Sequence, residues 1–179
     1  TQVIAGPYAS YQLALQGADV IKVEKPGGED VRHGNSVTGP KGEPTSPMFA
    51  AANGNKRGIC LDLKQPEAVA AIKKLAETAD VVVENFRPGV MDRLGIGWDV
   101  LRQINPRLIY ACVSGFGREG PDARTPAYDG KIQAISGIMS ITGHPEMGPT
   151  RAGFAVADAM AGMTAVSYTH LTLPTRTRV

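Results

Sequence analysis

The chain has 179 residues, which is the length of one domain or of a part of a larger protein. Its composition, with 42% hydrophobic and 20% charged residues, excludes general disorder and fibrous repeats. The 19 basic and 17 acidic residues leave a net charge of +2, which is too balanced for a protein that neutralises nucleic-acid phosphates.

The sequence contains neither a membrane-spanning segment nor a cysteine motif typical of metal sites. No apolar run approaches the roughly 18 residues that a membrane span requires. Cys60 and Cys112 lie in apolar stretches, and no Cys/His spacing typical of a metal site occurs. We therefore expect a cytoplasmic protein with two buried thiols and no metal, and neither a nucleic acid nor a membrane as its partner.

Both ends of the chain are typical of truncation. The first seven residues lack an initiator Met and resemble the end of a strand that runs into a turn. Residues 167–179 change abruptly to Thr and Arg without a helical period. We expect residues 1–166 to be the N-terminal part of a larger domain, and residues 167–179 to be a non-native tail. The alternative for the tail is a native flexible terminus.

Strand patterns recur through the first two thirds of the chain. Residues 19–24, 80–84 and 108–114 are β-branched or nearly continuous apolar runs, as in strands buried in a parallel sheet. Between the first two strands, residues 25–57 are rich in Gly, Pro, Asn and Ser and predict a long loop that is either functional or covered by a partner.

Helical patterns alternate with these strands. One helix is predicted to begin at Gln65, with Pro66 in its first turn, and another to cover Trp98–Ile104. Residues 131–139 and 154–166 predict two more, and the Ala, Gly and Met of the last indicate very close packing against other backbone.

This alternation predicts an α/β fold with a doubly wound, Rossmann-like parallel sheet. Ligands bind beyond the carboxyl ends of the strands in such sheets. The segments at those ends are residues 25–28, 85–89 and 115–120, and we expect the functional site there.

Residues 115–120 (GFGREG) match the dinucleotide-binding pattern G-x-G-x-x-G. That pattern requires a helix to open at its third glycine, with its N-terminus facing the pyrophosphate. Pro121 and Pro126 follow instead. We therefore interpret the segment as a flexible glycine loop and not as an NAD site.

The segment after the second strand carries groups suited to an anionic ligand. Asn85 offers an amide, Phe86 a stacking surface and Arg87 a guanidinium, and Arg93 follows one or two helical turns later. An ordinary Pro-Gly turn with solvated arginines explains the same residues, and the pattern alone does not separate the two interpretations.

Asp158 is a single carboxylate among small apolar residues. As an N-cap or first-turn acid it would stabilise a helix by about 1 kcal/mol. As a partly desolvated carboxylate it would cost stability, and chemistry would be the reason to keep it. Its position in the sequence leaves both interpretations open.

Taken together, these segments resemble the class III CoA-transferases, the CaiB/BaiF family. The resemblance covers residues 1–166, and family members are considerably longer than this chain. The segments that carry it, in chain order, are residues 17–24 (GADVIKVE), 53–58 (NGNKRG), 61–64 (LDLK), 79–89, 92–95 (DRLG), 128–129 (YD) and 133–137 (QAISG).

The resemblance implies an activity and a nucleophile. Family members move CoA from an acyl-CoA donor to a free carboxylic acid acceptor, through an aspartyl mixed anhydride and an enzyme–CoA thioester. Asp158 matches the family's nucleophilic aspartate. The CoA thioester is then a substrate, and no tightly bound cofactor is implied. The full-length protein is expected to be a homodimer of interlocked chains.

The resemblance also implies the residues that bind CoA. Two positions depart from the pattern: Ile4 stands where formyl-specific members carry Gln, and Lys25 where many members carry Arg. The first departure argues against oxalate/formate chemistry, and the second keeps the charge but loses bidentate hydrogen bonding. The CoA-binding positions are Ala5, Lys25, Leu61, Asp62, Leu63, Lys64, Asn85, Phe86, Arg87, Arg93 and Tyr128.

Two alternatives remain at this point. Related α-methylacyl-CoA racemases carry a Gly-His-Asp sequence, and here Ala127, Tyr128 and Asp129 stand at that place. This difference favours a transferase over a racemase. The second alternative is a non-catalytic fragment that only binds CoA.

Overall fold

The computed structural model describes residues 1–34, 36–39, 42 and 44–172. The helices are α1 (Ala5–Leu15), α2 (Pro47–Asn53), α3 (Pro66–Ala76), α4 (Val90–Arg93), α5 (Trp98–Ile104), α6 (Asp129–Ile135) and α7 (Val156–Thr172). The strands are β1 (Val20–Glu24), β2 (Val37–Thr38), β3 (Pro44–Thr45), β4 (Lys56–Cys60), β5 (Val81–Glu84) and β6 (Ile109–Cys112). Short 3-10 helices cover Asp30–Arg32, Ile138–Ile141 and Pro145–Met147.

The main strands pair in parallel, which confirms the predicted α/β class. Strand β1 pairs with β4, from Val20 opposite Lys56 to Glu24 opposite Cys60. Strand β5 pairs with β6 in the same sense, and its last residue, Glu84, lies opposite Cys112. Within the described residues the strands pair two by two, and β2 and β3 form a short antiparallel pair. The carboxyl ends of all four parallel strands lead into the loops that line the clefts described below.

A cluster of apolar side chains joins the helices to the β5–β6 pair. Ile96 and Leu101 are fully buried, and Ala76, Met91 and Leu108 pack with them. Complete burial of one such large side chain stabilises the fold by about 1.5–3 kcal/mol. This cluster fixes α4 and α5 beneath the loop that follows β5.

Helices α1 and α7 approach each other closely at Gly162. A Cβ atom at Gly162 would lie 2.8 Å from the carbonyl oxygen of Ala5 and 3.2 Å from the amide nitrogen of Ala9. The close packing predicted from the small residues of α7 is therefore confirmed. This contact brings the first turns of α1 and α7 together.

The predicted strand at the start of the chain is wrong, because α1 begins at Ala5. Pro7 is tolerated there, since amides in a first helical turn have no intrahelical acceptor to lose. The helix buries Ala9 and Ala14 almost completely, and these small side chains gave no apolar period to detect.

The predicted long loop over residues 25–57 is also wrong in part, because it contains α2 and the start of β4. The signal for α2 was local: the Ser46 hydroxyl accepts a hydrogen bond from the Phe49 amide at 3.3 Å, and Pro47 occupies the first turn. In β4 the leading charges of Lys56 and Arg57 concealed the strand pattern.

The expected burial of Cys60 and the predicted end of the last helix also differ from the structure. Cys60 was expected to be buried and is exposed, because the side chains of β4 after Lys56 have no covering layer in the described structure; Cys112 is half-buried. The helix predicted over residues 154–166 is α7, and it continues through Thr172. The non-native origin expected for residues 167–179 stays a prediction, and residues 173–179 lie outside the described part of the chain. Of the helices that are described, none combines the length and apolar character needed to cross a membrane.

Candidate functional site

The carboxyl ends of β1 and β4 open into a cleft of about 270 Å³, here called the β1–β4 cleft. Lys25 follows β1, and the segment Leu61, Asp62, Leu63 and Lys64 follows β4. All five line the cleft, together with Phe86 and its neighbours Val90 and Leu94. The parallel pairing of the two strands is what brings these two distant segments together.

A second cleft of about 420 Å³, here called the Asp158 cleft, lies at the carboxyl ends of β5 and β6. The residues that follow these strands line one side of it, and the start of α7 lines another. The predicted site residues in its lining are Ala5, Asn85, Phe86, Arg87, Tyr128 and Asp158.

The two clefts are contiguous, because Gln2, Phe86 and Val90 line both. The structure therefore gathers every predicted site residue except Arg93 around one continuous surface. Arg93, at the end of α4, is exposed and lines neither cleft.

Several polar groups of these clefts already have partners within the chain. The Lys25 ammonium lies 2.7 Å from a carboxylate oxygen of Asp30, with both side chains largely exposed. The Asn85 amide is engaged on both sides by the backbone of Gln2: its oxygen accepts from the Gln2 amide at 2.8 Å, and its nitrogen donates to the Gln2 carbonyl at 2.7 Å. Asn85 therefore orders the chain over the cleft, whereas Arg87 remains exposed to it.

Buried Glu84 supports the loop after β5. One of its carboxylate oxygens accepts from the Phe86 amide at 2.8 Å, and the other accepts from the Tyr110 hydroxyl at 3.4 Å. Burial, followed by hydrogen bonding to Glu84, raises the pKa of the Cys112 thiol to about 12. Cys112 is therefore protonated at neutral pH and is unsuited to act as a nucleophile.

Asp158 lies in the first turn of α7 with its side chain half-buried in the wall of its cleft. Partial burial, and then the charge of Asp129, raise the pKa of this carboxyl above its ordinary value. Among the described residues, no donor forms a hydrogen bond to the Asp158 carboxylate. Asp158 therefore lies in the first turn of its helix, as one interpretation expected, but its carboxylate does not cap that helix.

The cap of α7 is supplied by Asp129, at the start of α6. One oxygen of its buried carboxylate accepts from the amides of Ala157 at 2.9 Å and Asp158 at 3.3 Å. The other oxygen accepts from the Gln133 side chain at 2.6 Å and lies 3.4 Å from the Arg151 guanidinium. Helix N-termini favour such a carboxylate, because their first amides have no intrahelical acceptor.

Gln133 anchors the segment that leads into α7. Its side chain is completely buried, and it accepts from the Ala152 amide at 2.9 Å and donates to the Phe154 carbonyl at 3.3 Å. Asp129 and Gln133 are four residues apart and therefore lie on one face of α6. That face holds the chain before Asp158.

Asp129 and Gln133 are the site residues that the sequence analysis did not assign. Both stand in segments that carried the family resemblance, but their spacing predicted only a helix face. The partners of these side chains lie some 20 to 30 residues away in the chain, so no local pattern identifies them.

The described residues contain no group of three or more His, Cys, Asp or Glu side chains arranged to hold a metal ion. The glycine segment 115–120 opens no helix, as expected, and the next helix begins only at Asp129.

Comparison with known proteins gives one consistent family. The model of CoA-transferase family III matches residues 1–178. The chain is 46% identical over 170 residues to a succinate–glutarate CoA-transferase of Agrobacterium fabrum, covering 93% of this chain and 42% of that protein. It is 48% identical over 154 residues to an acetyl-CoA:oxalate CoA-transferase of Acetobacter aceti, covering 86% of this chain and 39% of that protein.

A solved structure agrees with the fold over almost the whole chain. The crystal structure of a CAIB/BAIF family protein from Brucella suis superposes with a TM-score of 0.92 at 39% identity. The match covers 97% of this chain and 46% of that one. The chain thus spans less than half the length of the proteins that it matches here.

Proposed function

The chain belongs to CoA-transferase family III, and we propose that Asp158 is the nucleophile of a CoA transfer from an acyl-CoA to a free carboxylic acid. The observation that supports this proposal is the state of the Asp158 carboxylate. It lines a cleft, is partly desolvated, and accepts no hydrogen bond from the described residues. A carboxylate with those properties costs stability and is available for attack.

The proposed reaction proceeds by two exchanges at one carboxylate. The ionised Asp158 attacks the thioester carbonyl and expels CoA as a thiolate, which leaves a mixed anhydride between Asp158 and the donor acid. The thiolate then attacks the aspartyl carbonyl, releasing the donor acid and leaving an Asp158–CoA thioester. The acceptor carboxylate attacks this thioester, and the released thiolate attacks the acceptor's carbonyl to give the new acyl-CoA and free Asp158. No net proton or electron is consumed.

The two contiguous clefts support an extended CoA site. We propose that the β1–β4 cleft takes the nucleotide end, where Lys25 and Lys64 offer cations to the phosphates. The thioester end would then reach Asp158 past Phe86, which lines both clefts. Arg93 lies outside both clefts, so its assignment to CoA rests on the family resemblance alone. CoA is a substrate in this proposal, and the complete protein is proposed to act as a homodimer.

The acid substrates are proposed to be dicarboxylic acids. The relatives are named for succinate, glutarate and oxalate, which all belong to that class. Ile4, in place of the Gln of formyl-specific members, favours succinate or glutarate over oxalate. A racemase is less well supported, because the described lining of the Asp158 cleft includes Tyr128 and contains no histidine.

An isotope experiment tests the nucleophile directly. In the proposed cycle the acceptor acid leaves one of its carboxylate oxygens on Asp158. Turnover of the complete protein with succinyl-CoA and ¹⁸O-labelled glutarate should therefore place ¹⁸O in the peptide that contains Asp158. Trapping with hydroxylamine during turnover should modify the same peptide, as read by mass spectrometry.

Asp158→Asn should reduce transfer by several orders of magnitude, because an amide cannot form the anhydride, and each tenfold loss corresponds to about 1.4 kcal/mol of barrier. CoA binding should persist. Asp99→Asn is the matched control, since Asp99 is also a first-turn acid but is exposed and lines neither cleft. Label in another peptide, or normal turnover by Asp158→Asn, would reject the assignment. If the wild type bound CoA but exchanged no acyl group, the result would support the alternative of a protein that only binds CoA.

A further inference from the structure

We propose that Asp129 is the positioning residue of the site, because its carboxylate holds the amides at the start of α7 and so leaves the Asp158 carboxylate free in the cleft. This inference rests on the proposed function of Asp158. It assigns the two acidic side chains different tasks, one structural and one chemical.

The Asp129 carboxylate is held in place by its hydrogen-bond partners. Each of its oxygens has two partners: the Ala157 and Asp158 amides at 2.9 and 3.3 Å on one, and the Gln133 and Arg151 side chains at 2.6 and 3.4 Å on the other. Its side chain is only 8% exposed. With all of these contacts made, the carboxylate is fixed in place and fixes the amide of Asp158 with it.

The consequence for Asp158 follows from the geometry of helix caps. A first-turn Asp whose helix lacks a cap can turn its own carboxylate back onto the free amides. Here Asp129 already occupies those amides, so the Asp158 side chain has no local acceptor role to fill. Its orientation toward the cleft is thereby set from α6, a separate element.

The charge of Asp129 also acts on Asp158. The ionisable groups on the elements packed against α7 or lining its cleft are Tyr8, Tyr11, Arg87, Tyr110, Cys112, Tyr128, Asp129, Lys131 and Arg151. Among them, Asp129 is the group whose charge raises the pKa of Asp158. Arg151 is mostly exposed and lies at the far limit of a hydrogen bond to Asp129, so it offsets that charge only in part.

Substitutions of Asp129 and Arg151, the two partners of one ion pair, are expected to have opposite effects on the pH dependence. Asp129→Asn removes the repulsion, so the acid limb of the pH profile of kcat should move to lower pH. Arg151→Gln removes a neighbouring positive charge, so the same limb should move to higher pH. The plateau kcat of Asp129→Asn should fall about 100-fold with little change in KM for acyl-CoA, since misplacing a reacting group by about 1 Å costs on that order.

The experiment measures the acid limb of the kcat profile for both variants, in the complete protein with succinyl-CoA and glutarate. The exposed pair Asp99 and Arg102 on α5 provides matched controls, because Asp99→Asn and Arg102→Gln break a similar ion pair away from the clefts. Neither control should move the limb. Arg151→Gln changes an exposed side chain, so it retains the test if Asp129→Asn does not fold.

Amide hydrogen exchange at Ala157 and Asp158, measured in the 179-residue chain, adds a readout that does not need activity. Asp129→Ala, which removes both acceptor oxygens, should accelerate it and Asp99→Ala should not. Unshifted limbs in both variants, a normal plateau for Asp129→Asn, or unchanged exchange would each overturn the inference. If the wild type does not transfer CoA, the proposed function is wrong. The hydrogen-exchange data would still show whether Asp129 caps α7.

Discussion

At the residue scale, two carboxylates near the start of α7 have contrasting environments. Asp129 is buried and accepts from four donors, whereas Asp158 is half-buried and accepts from none among the described residues. A cap of this kind typically contributes about 1 kcal/mol. The stabilising role considered for Asp158 on sequence grounds therefore belongs, in the structure, to Asp129.

This division predicts how Asp158 affects stability with pH. Its pKa is raised on folding, so between the unfolded and folded pKa values the folded chain holds more protons than the unfolded chain. The contribution of Asp158 to the free energy of unfolding is therefore greatest at acid pH and is lost as the pH rises through the folded pKa. Asp158→Asn should lack this loss.

Chemical denaturation of the 179-residue chain at acid and neutral pH measures this effect. At neutral pH, Asp158→Asn should be at least as stable as the wild type, with Asp99→Asn as the exposed control. If Asp158→Asn instead lost about 1 kcal/mol, Asp158 would be acting as a helix cap.

At the element scale, the contact between α1 and α7 sets the wall of the Asp158 cleft. Ala5 and Ala161 both line that cleft, and Gly162 lies against the backbone of α1. The absence of a side chain at Gly162 thus allows the two helix starts to meet.

Gly162→Ala should destabilise the chain. Its new Cβ would lie 2.8 Å from a backbone oxygen, which can move only if the helices separate. Overpacking of this kind costs about 1–3 kcal/mol, and the better helix propensity of Ala returns about 1 kcal/mol at most. Thermal unfolding measures the difference.

Thr164→Ala serves as the control for that helix, because Thr164 is exposed on α7 and Ala favours helix there. It should leave stability unchanged or raise it. An increase in stability for Gly162→Ala equal to that of Thr164→Ala would mean that the close approach imposes no constraint.

At the scale of the whole molecule, large apolar side chains remain exposed near α6 and α7. Ile135, Ile141, Met147, Phe154 and Met160 are each more than half exposed. Large exposed apolar side chains, where they gather into a patch, mark a contact with other protein. The chain spans less than half the length of the relatives that it matches.

The 179-residue chain on its own should therefore self-associate. Size-exclusion chromatography with light scattering should show species larger than a monomer as concentration rises. Ile141→Lys should reduce this association without loss of fold, because its side chain is 85% exposed. Gln103→Lys adds the same charge at an exposed position of α5 and should not reduce it. A monomer at all concentrations would contradict the prediction.

The sequence by itself determined the class of fold and the family. Continuous apolar runs predicted β5 and β6, a proline-led apolar period predicted α3, and ordered segments such as GADVIKVE and LDLK carried the resemblance. These signals are local, since strand and helix periods are written in consecutive residues. The small residues of α7 likewise predicted its close packing, and Asp158 stood out because a lone acid among them is costly.

Only the tertiary structure decided how those pieces divide their tasks. It showed that Asp129 caps α7, that Gln133 holds the chain before it, and that Phe86 joins two clefts. It also placed Arg93 outside both clefts and Cys60 on the surface. Each of these outcomes depends on contacts between residues far apart in the chain or on which face a neighbour covers, and such contacts leave no period in the sequence.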